Sequence, residues 1–203
     1  MKRDLDHLPE RQQEELATIL DVLLTEFEAA RTRGAGGTSE WRRRGQVLKV
    51  ILFGSYARDD WVDEPENGYL SDYDLLIIVS HEKLTDIAEY WWAAEDRILR
   101  DPSIGRTVNL IVHDLAEVNA ALTRGEYFWT DIVRDGVVLH EVPGHSLAEP
   151  RPMTVEQAFS QAESHFSRLN TSVNEWLELS RLSAEKGRVG DWPKKTAFHL
   201  HQA

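Results

Sequence analysis

LFGSYARDD at residues 52–60 and SDYDLLIIV at residues 71–79 decide how the rest of the chain is read. The second stretch is an aliphatic run that begins with Asp72 and Asp74, one residue apart. Successive side chains of a strand point to opposite faces, so these two carboxylates project the same way, with Cα atoms about 7 Å apart. Carboxylates held like that repel each other and suit a hard divalent cation with oxygen ligands. The first stretch closes a hydrophobic run with Gly54-Ser55. Glycine lets a backbone N–H come close to a ligand, and the adjacent hydroxyl can donate to a phosphate oxygen. A phosphate grip beside paired metal carboxylates is what the movement of a nucleotidyl group requires.

Hydrophobic strand, Gly-Ser, Asp-x-Asp and second hydrophobic strand, in that order, resemble the polymerase-beta-type nucleotidyltransferase superfamily, in particular its minimal branch. The resemblance implies transfer of NMP from an NTP, with ATP the expected donor, to an acceptor hydroxyl. It implies Mg2+, up to two ions, held by Asp72 and Asp74 as the catalytic carboxylates. Gly54 and Ser55 then cradle the β and γ phosphates, and Arg58, one turn further on, reaches the same charge. The competing readings are plain ones: aspartates capping a strand, a serine capping a helix, and an arginine paired with Asp59 or Asp60.

Two features depart from the family pattern. Sixteen residues separate Ser55 from Asp72, and the stretch DDWVDEPENGYLS reads as a longer acidic loop. The family's third carboxylate falls on the strand TVNLIV, where the aligned position is Asn109. An amide carbonyl can ligate a cation but brings no charge and cannot serve as a base. By strand alternation His113 shares the face of Asn109, whereas Asp114 does so only if the strand bends. Three outcomes stay open: a site of two carboxylates, substitution by Asp114 or an acid of the long loop, or weak or lost catalysis.

The chain has 203 residues, 41% of them hydrophobic with seven Trp, which suits one medium domain or a small domain with part of another. It contains no cysteine, which excludes a disulfide framework and fits a reducing compartment. The N-terminus MKRDLDHLPERQQEE lacks an apolar signal core and no stretch approaches a membrane span, so a cytoplasmic protein without a membrane partner is expected. With 23 basic against 35 acidic residues the net charge is −12, which argues against general DNA binding. A nucleotide with its magnesium is an easier partner.

Leu16, Ile19, Leu20, Leu23, Leu24 and Phe27 recur at helical spacing, with Pro9 suited to the first turn. RTRGAGGTSEW reads as a connection, and Val47 to Phe53 and Leu75 to Val79 as strands. Ser55 to Asp60 opens a short helix. Leu84, Ile87, Trp91 and Ile98 mark a second long helix, and Thr107 to Val112 a third strand. Leu115 to Leu122 and Tyr127 to Val133 read as helices, and Gly136 to Leu139 as a closing strand. The expected fold is α/β (α+β), a nucleotidyltransferase-type mixed sheet flanked by helices over residues 1–143.

Residues 144–153 have linker composition. Thr154 with Gln157 forms a capping box, followed by a helical stripe in which Phe159 and Phe166 are expected as bundle core. Gly187 and Gly190 break that helix and Pro193 restarts one. Residues 154–203 resemble the start of a HEPN domain, an incomplete helical bundle read as truncated; the ribonuclease motif of that family cannot be placed in it. The pairing implies a protein hydroxyl or HEPN-type partner as acceptor, in a toxin–antitoxin or defence setting, and the apolar stripes favour a partner or a homo-oligomer. The alternatives are a catalytically lapsed nucleotide-binding regulatory module and a small-molecule transferase of the aminoglycoside-modifying sort. Arg42-Arg43-Arg44 reads as a solvated charge run, Trp91-Trp92 and Tyr127-Phe128-Trp129 as packing, and His199-x-His201 as no metal site.

Overall fold

VLKVILF, residues 47–53, is buried at six of its seven positions, which marks a strand covered on both faces. In the computed structural model, which describes residues 1–33, 39–64, 66 and 69–185, this strand (β1, Val47–Phe53) is central. Two units divide the chain, Met1–Arg151 and Pro152–Ala203. The first carries α1 (Glu10–Thr32), α2 (Glu40–Arg43), β1, α3 (Ser55–Arg58), β2 (Asp63–Glu64), β3 (Tyr69–Leu70) and β4 (Tyr73–Val79). It continues with α4 (Trp92–Arg100), β5 (Val108–Asp114), α5 (Leu115–Arg124), α6 (Tyr127–Asp135) and β6 (Val137–Glu141).

Four strands form one mixed sheet in the order β5-β4-β1-β6, with β2 and β3 a separate hairpin. β1 runs antiparallel to β4 and β6, and β4 parallel to β5. Alternation sorts the core. Val50, Leu52, Leu75 and Ile77 meet the α1 stripe of Leu16, Ile19, Leu23 and Phe27. Ile51, Leu76 and Ile78 point the other way, to Val118, Leu122, Trp129 and Ile132 of α5 and α6. Lys49 is the exception inside β1: buried, it lies opposite Glu141 in register and pairs with its carboxylate, which Arg3 also contacts. Those two cations hold the Glu141 carboxyl below its ordinary range.

Several expectations need correction. The stretch from Leu84 to Ile98 is not one helix. It is a 3-10 turn at Glu82–Thr85, a π turn at Ile87–Trp91 and then α4. Asp86 caps a new start by accepting from the Glu89 N–H at 3.0 Å, and the Trp91 indole donates to the Leu84 carbonyl at 2.8 Å. The wide turn puts Trp91 fully inside and leaves Trp92 exposed. The acidic loop contains the β2–β3 hairpin, closed by Ser71 through its N–H to the Val62 carbonyl at 2.9 Å and its Oγ accepting from the Val62 N–H at 2.9 Å.

The segment after β6 is anchored to α5. The Ala148 N–H donates to Asn119 Oδ1 at 2.7 Å, and the Arg151 N–H to the Leu122 carbonyl at 3.2 Å. In the second unit the capping box forms as expected, with Thr154 N–H to Gln157 Oε1 at 3.0 Å and Gln157 N–H to Thr154 Oγ1 at 3.2 Å. It opens α7 (Val155–Glu185). Phe159 and Phe166 are exposed rather than core, because the described part of this unit is a single helix that cannot cover its own stripe. Gly187, Gly190, Pro193, His199 and His201, and the glycines of the connection before α2, lie outside the described residues. Among the described residues no helix is long and apolar enough to cross a membrane.

Candidate functional site

Where β1 ends, Phe53 lies in register with Asp74 of β4, and the chain must leave past that carboxylate. Gly54 does so with φ 74° and ψ −153°, a conformation L side chains avoid. A Cβ on Gly54 would sit 3.2 Å from Asp74 Cγ and collide with its Oδ2. The Gly-Ser turn and the Asp-x-Asp strand are thus in direct contact. α3 follows at once, its Arg58 N–H returning to the Gly54 carbonyl at 3.2 Å, and Asp59 ends it at φ 67°. No described residue engages the Ser55 hydroxyl.

Asn109 completes the cluster. It lies in register with Asp74 on the neighbouring parallel strand. Its Nδ2 donates to Asp74 Oδ1 at 3.0 Å and, more weakly, to Asp72 Oδ2 at 3.4 Å. One amide dipole therefore stands between two carboxylates that would otherwise face each other uncompensated, which is where a cation belongs. The donor set fits a hard divalent ion: two carboxylate oxygens converge on one point, and the same amide supplies a third oxygen if it turns over. Among the described residues no three His, Cys, Asp or Glu side chains gather at a common metal position.

Asp114 does not join the cluster. It caps α5, accepting from the Ala116 and Glu117 N–H groups at 2.9 and 3.1 Å, and lies five residues, about 16 Å, beyond Asn109 along β5. His113 does share the Asn109 face but is held by Glu117 at 2.8 Å and packs edge-on against Trp129. Arg58 pairs with Asp60 at 3.0 Å, both about half exposed, an arrangement that phosphate can displace at little cost. Arg42 is structural: it donates to the carbonyls of Ala30 and Arg31, each at 3.1 Å, and pairs with Glu89 at 2.9 Å.

Behind the site lies a buried polar network that sequence reasoning missed. Arg106 and Glu15 pair at 3.0 Å with side chains only 1% and 2% exposed. The Arg106 guanidinium donates to the Tyr56 hydroxyl and lies 5.3 Å from the ring centres of both Tyr56 and Tyr73. Tyr73 donates its hydroxyl to Glu15 Oε2 at 2.8 Å, and Arg11 reaches Oε1 at 2.9 Å. Burial first, and then the Glu15 carboxylate, push the Tyr73 phenol above its ordinary range. Tyr56 follows Ser55, and Tyr73 stands between Asp72 and Asp74. The network therefore grips both motifs from the core side. Its partners are up to 91 positions apart in the chain, which leaves no local signal beyond the two tyrosines.

A cavity of about 610 Å³ opens beside Asp72, lined by Glu95, Ile98 and Leu99 of α4 and by Val108 and Leu110 of β5. No curated protein and no solved structure matches the chain. Residues 38–115, which hold Gly54, Ser55, Asp72, Asp74 and Asn109 and end at the first residue of α5, match the model of the nucleotidyltransferase domain family.

Proposed function

We propose that the chain is a metal-dependent nucleotidyltransferase that moves NMP from an NTP, with ATP the expected donor, to an acceptor hydroxyl. The observation that carries this reading is the contact between Gly54 and Asp74, which brings the two halves of the motif together with Asn109 in register. Asp72, Asp74 and the Asn109 carbonyl would hold magnesium, which when bound offsets phosphate charge and polarises the transferred phosphoryl group. The Ser55 hydroxyl and the backbone amides beside Gly54 bind the outer phosphates. Arg58 swings from Asp60 to the same charge. The acceptor oxygen forms its bond to the α-phosphorus as the bond to pyrophosphate breaks. Asp72, exposed at the rim, takes the hydroxyl proton. A HEPN-type protein as acceptor, in a toxin–antitoxin or defence setting, belongs to this proposal and rests on the family resemblance of the sequence.

One observation favours a second reading, a nucleotide-binding module without transfer. The Asn109 amide already bridges both aspartates, and it adds no charge for a second cation. Thermal unfolding with each NTP, in magnesium and then in EDTA, tests the binding that both readings share. Magnesium-dependent stabilisation that disappears in the Asp72→Asn, Asp74→Asn double variant is expected. Asn109→Asp separates the two: a protein that transfers only after this change was a binding module, and an active wild-type chain removes that reading.

A further inference from the structure

β5 lies at one edge of the sheet, with β4 as its neighbour on one side. The Tyr73 N–H donates to the Thr107 carbonyl at 2.9 Å. A strand residue turns its N–H and C=O to the same side, and the sides alternate along the chain. Asn109 and Ile111 therefore face β4, whereas the backbone groups of Val108, Leu110 and Val112 face outward. Among the described residues those outward groups have no backbone partner. Exposed edges are normally blunted by Lys, Pro or a bulge. β5 reads VNLIVHD over seven residues, and its pairing with β4 runs without a register shift. The strand is an open template beside the candidate site.

The two faces of this edge offer different chemistry. Asn109 shares its face with Asp74, to which it donates. Val108 and Leu110 point to the other face and line the 610 Å³ cavity with Ile98, Leu99 and Glu95. Glu95 is half-buried and makes no hydrogen bond or ion pair with any described residue, and Asp72 lies at the same cavity. Arg106, the cation at that wall, is only 1% exposed and already engaged by Glu15. Among the described residues Glu95 thus presents an unmatched negative charge between the apolar walls of the cavity.

We propose that the outer edge of β5 docks the acceptor as an extended polypeptide segment, added as a further strand. This rests on the transferase reading above. Backbone groups of the segment pair with those of Val108, Leu110 and Val112. Alternation then sends one of its side chains, bearing the hydroxyl, to the Asn109 face beside Asp72 and Asp74. Its two neighbours in sequence enter the cavity, where a basic residue meets Glu95 and an apolar one meets Leu99 and Ile98. The acceptor class is a protein hydroxyl flanked by basic and apolar residues in a strand.

The test uses the full chain and a fluorescein-labelled nine-residue peptide alternating Thr or Tyr with Lys or Val. Binding is measured by anisotropy without nucleotide. N-methylation of one alternating set of peptide amides is expected to weaken binding about tenfold or more, and methylation of the other set to leave it unchanged. Glu95→Lys is expected to weaken the Lys peptide about tenfold and to favour its Glu counterpart. Absence of binding at millimolar peptide, or equal loss from both methylated sets, overturns the docking edge. The two readings fail separately. Magnesium-NTP stabilisation without peptide binding removes the edge alone, whereas phase-dependent peptide binding without any nucleotide effect supports the edge and removes the transferase. Transfer to free hydroxylated amines but to no peptide also overturns the proposal.

Discussion

Replacing Arg106 with Met tests how much of the site's rigidity lies in the core behind it. The substitution keeps most of the side-chain volume but removes the guanidinium from a pocket where it is 1% exposed and Glu15 2%. Glu15 would retain the Tyr73 hydroxyl at 2.8 Å and Arg11 at 2.9 Å, the latter largely solvent-exposed. Breaking one side of a buried pair costs about 3–5 kcal/mol, because the remaining carboxylate loses its one buried cation and keeps only the exposed Arg11. For a unit of about 150 residues each kcal/mol moves Tm by about 2–4 °C, so a fall of about 6–20 °C is expected. Urea unfolding followed by tryptophan fluorescence gives the same quantity as a free energy. Adding Glu15→Gln should recover at least half of the loss, since glutamine still accepts from Tyr73 and no buried charge is left. A single variant that loses less than about 1 kcal/mol, or a double variant no better than the single, would refute the view that an ion pair holds this region.

Three further outcomes follow from the geometry. Gly54→Ala should destabilise the fold by about 1–3 kcal/mol and abolish nucleotide-dependent stabilisation, because the new methyl displaces Asp74; unchanged nucleotide binding in a thermal shift would show that the turn is not the phosphate grip. Asp72→Asn with Asp74→Asn should stop transfer while leaving the unfolding midpoint equal or higher, as like-charge repulsion is relieved; a radiolabelled transfer assay showing full activity would end the metal-site assignment. The third concerns acid. Lys49 and Arg3 depress the folded-state Glu141 carboxyl, so its contribution to stability is present above the ordinary carboxylate range and is lost as pH falls through the lower folded value. Lys49→Met should therefore flatten the dependence of the urea midpoint on pH below about 4.5, and an unaltered acid limb would contradict the pairing.

The parts of the site legible in the sequence are those written locally. Gly54-Ser55 and Asp72-x-Asp74 each declare themselves within a few residues, and the family resemblance singled out Asn109, which the sheet sets in register with Asp74. Less was visible where the decisive partner is remote. Nothing near Arg106 signals Glu15, and nothing near Lys49 signals Glu141, because both are joined only when the sheet closes. Spacing alone also failed at Ile87–Trp91: apolar steps compatible with one α-helix are met by a π turn, since the Trp91 indole must reach the Leu84 carbonyl. Phe159 and Phe166 have a helical period, and period says which side of a helix is apolar without saying what covers it.

The position of β1 at the centre of the sheet has a consequence in time. Every residue of the candidate site has been synthesised once Asn109 is made, yet β1 is flanked on one side by β6, with Leu52 opposite Val137 and Lys49 opposite Glu141. Lys2 near the start of the chain also bridges to Val137. At about 5–20 residues per second, a ribosome needs about 2–6 s to travel from Asn109 to Glu141. During that interval the most apolar strand of the protein has one bare edge. A nascent chain stalled between these two positions should be held by strand-binding chaperones, and should be released once the last strand has cleared the exit tunnel.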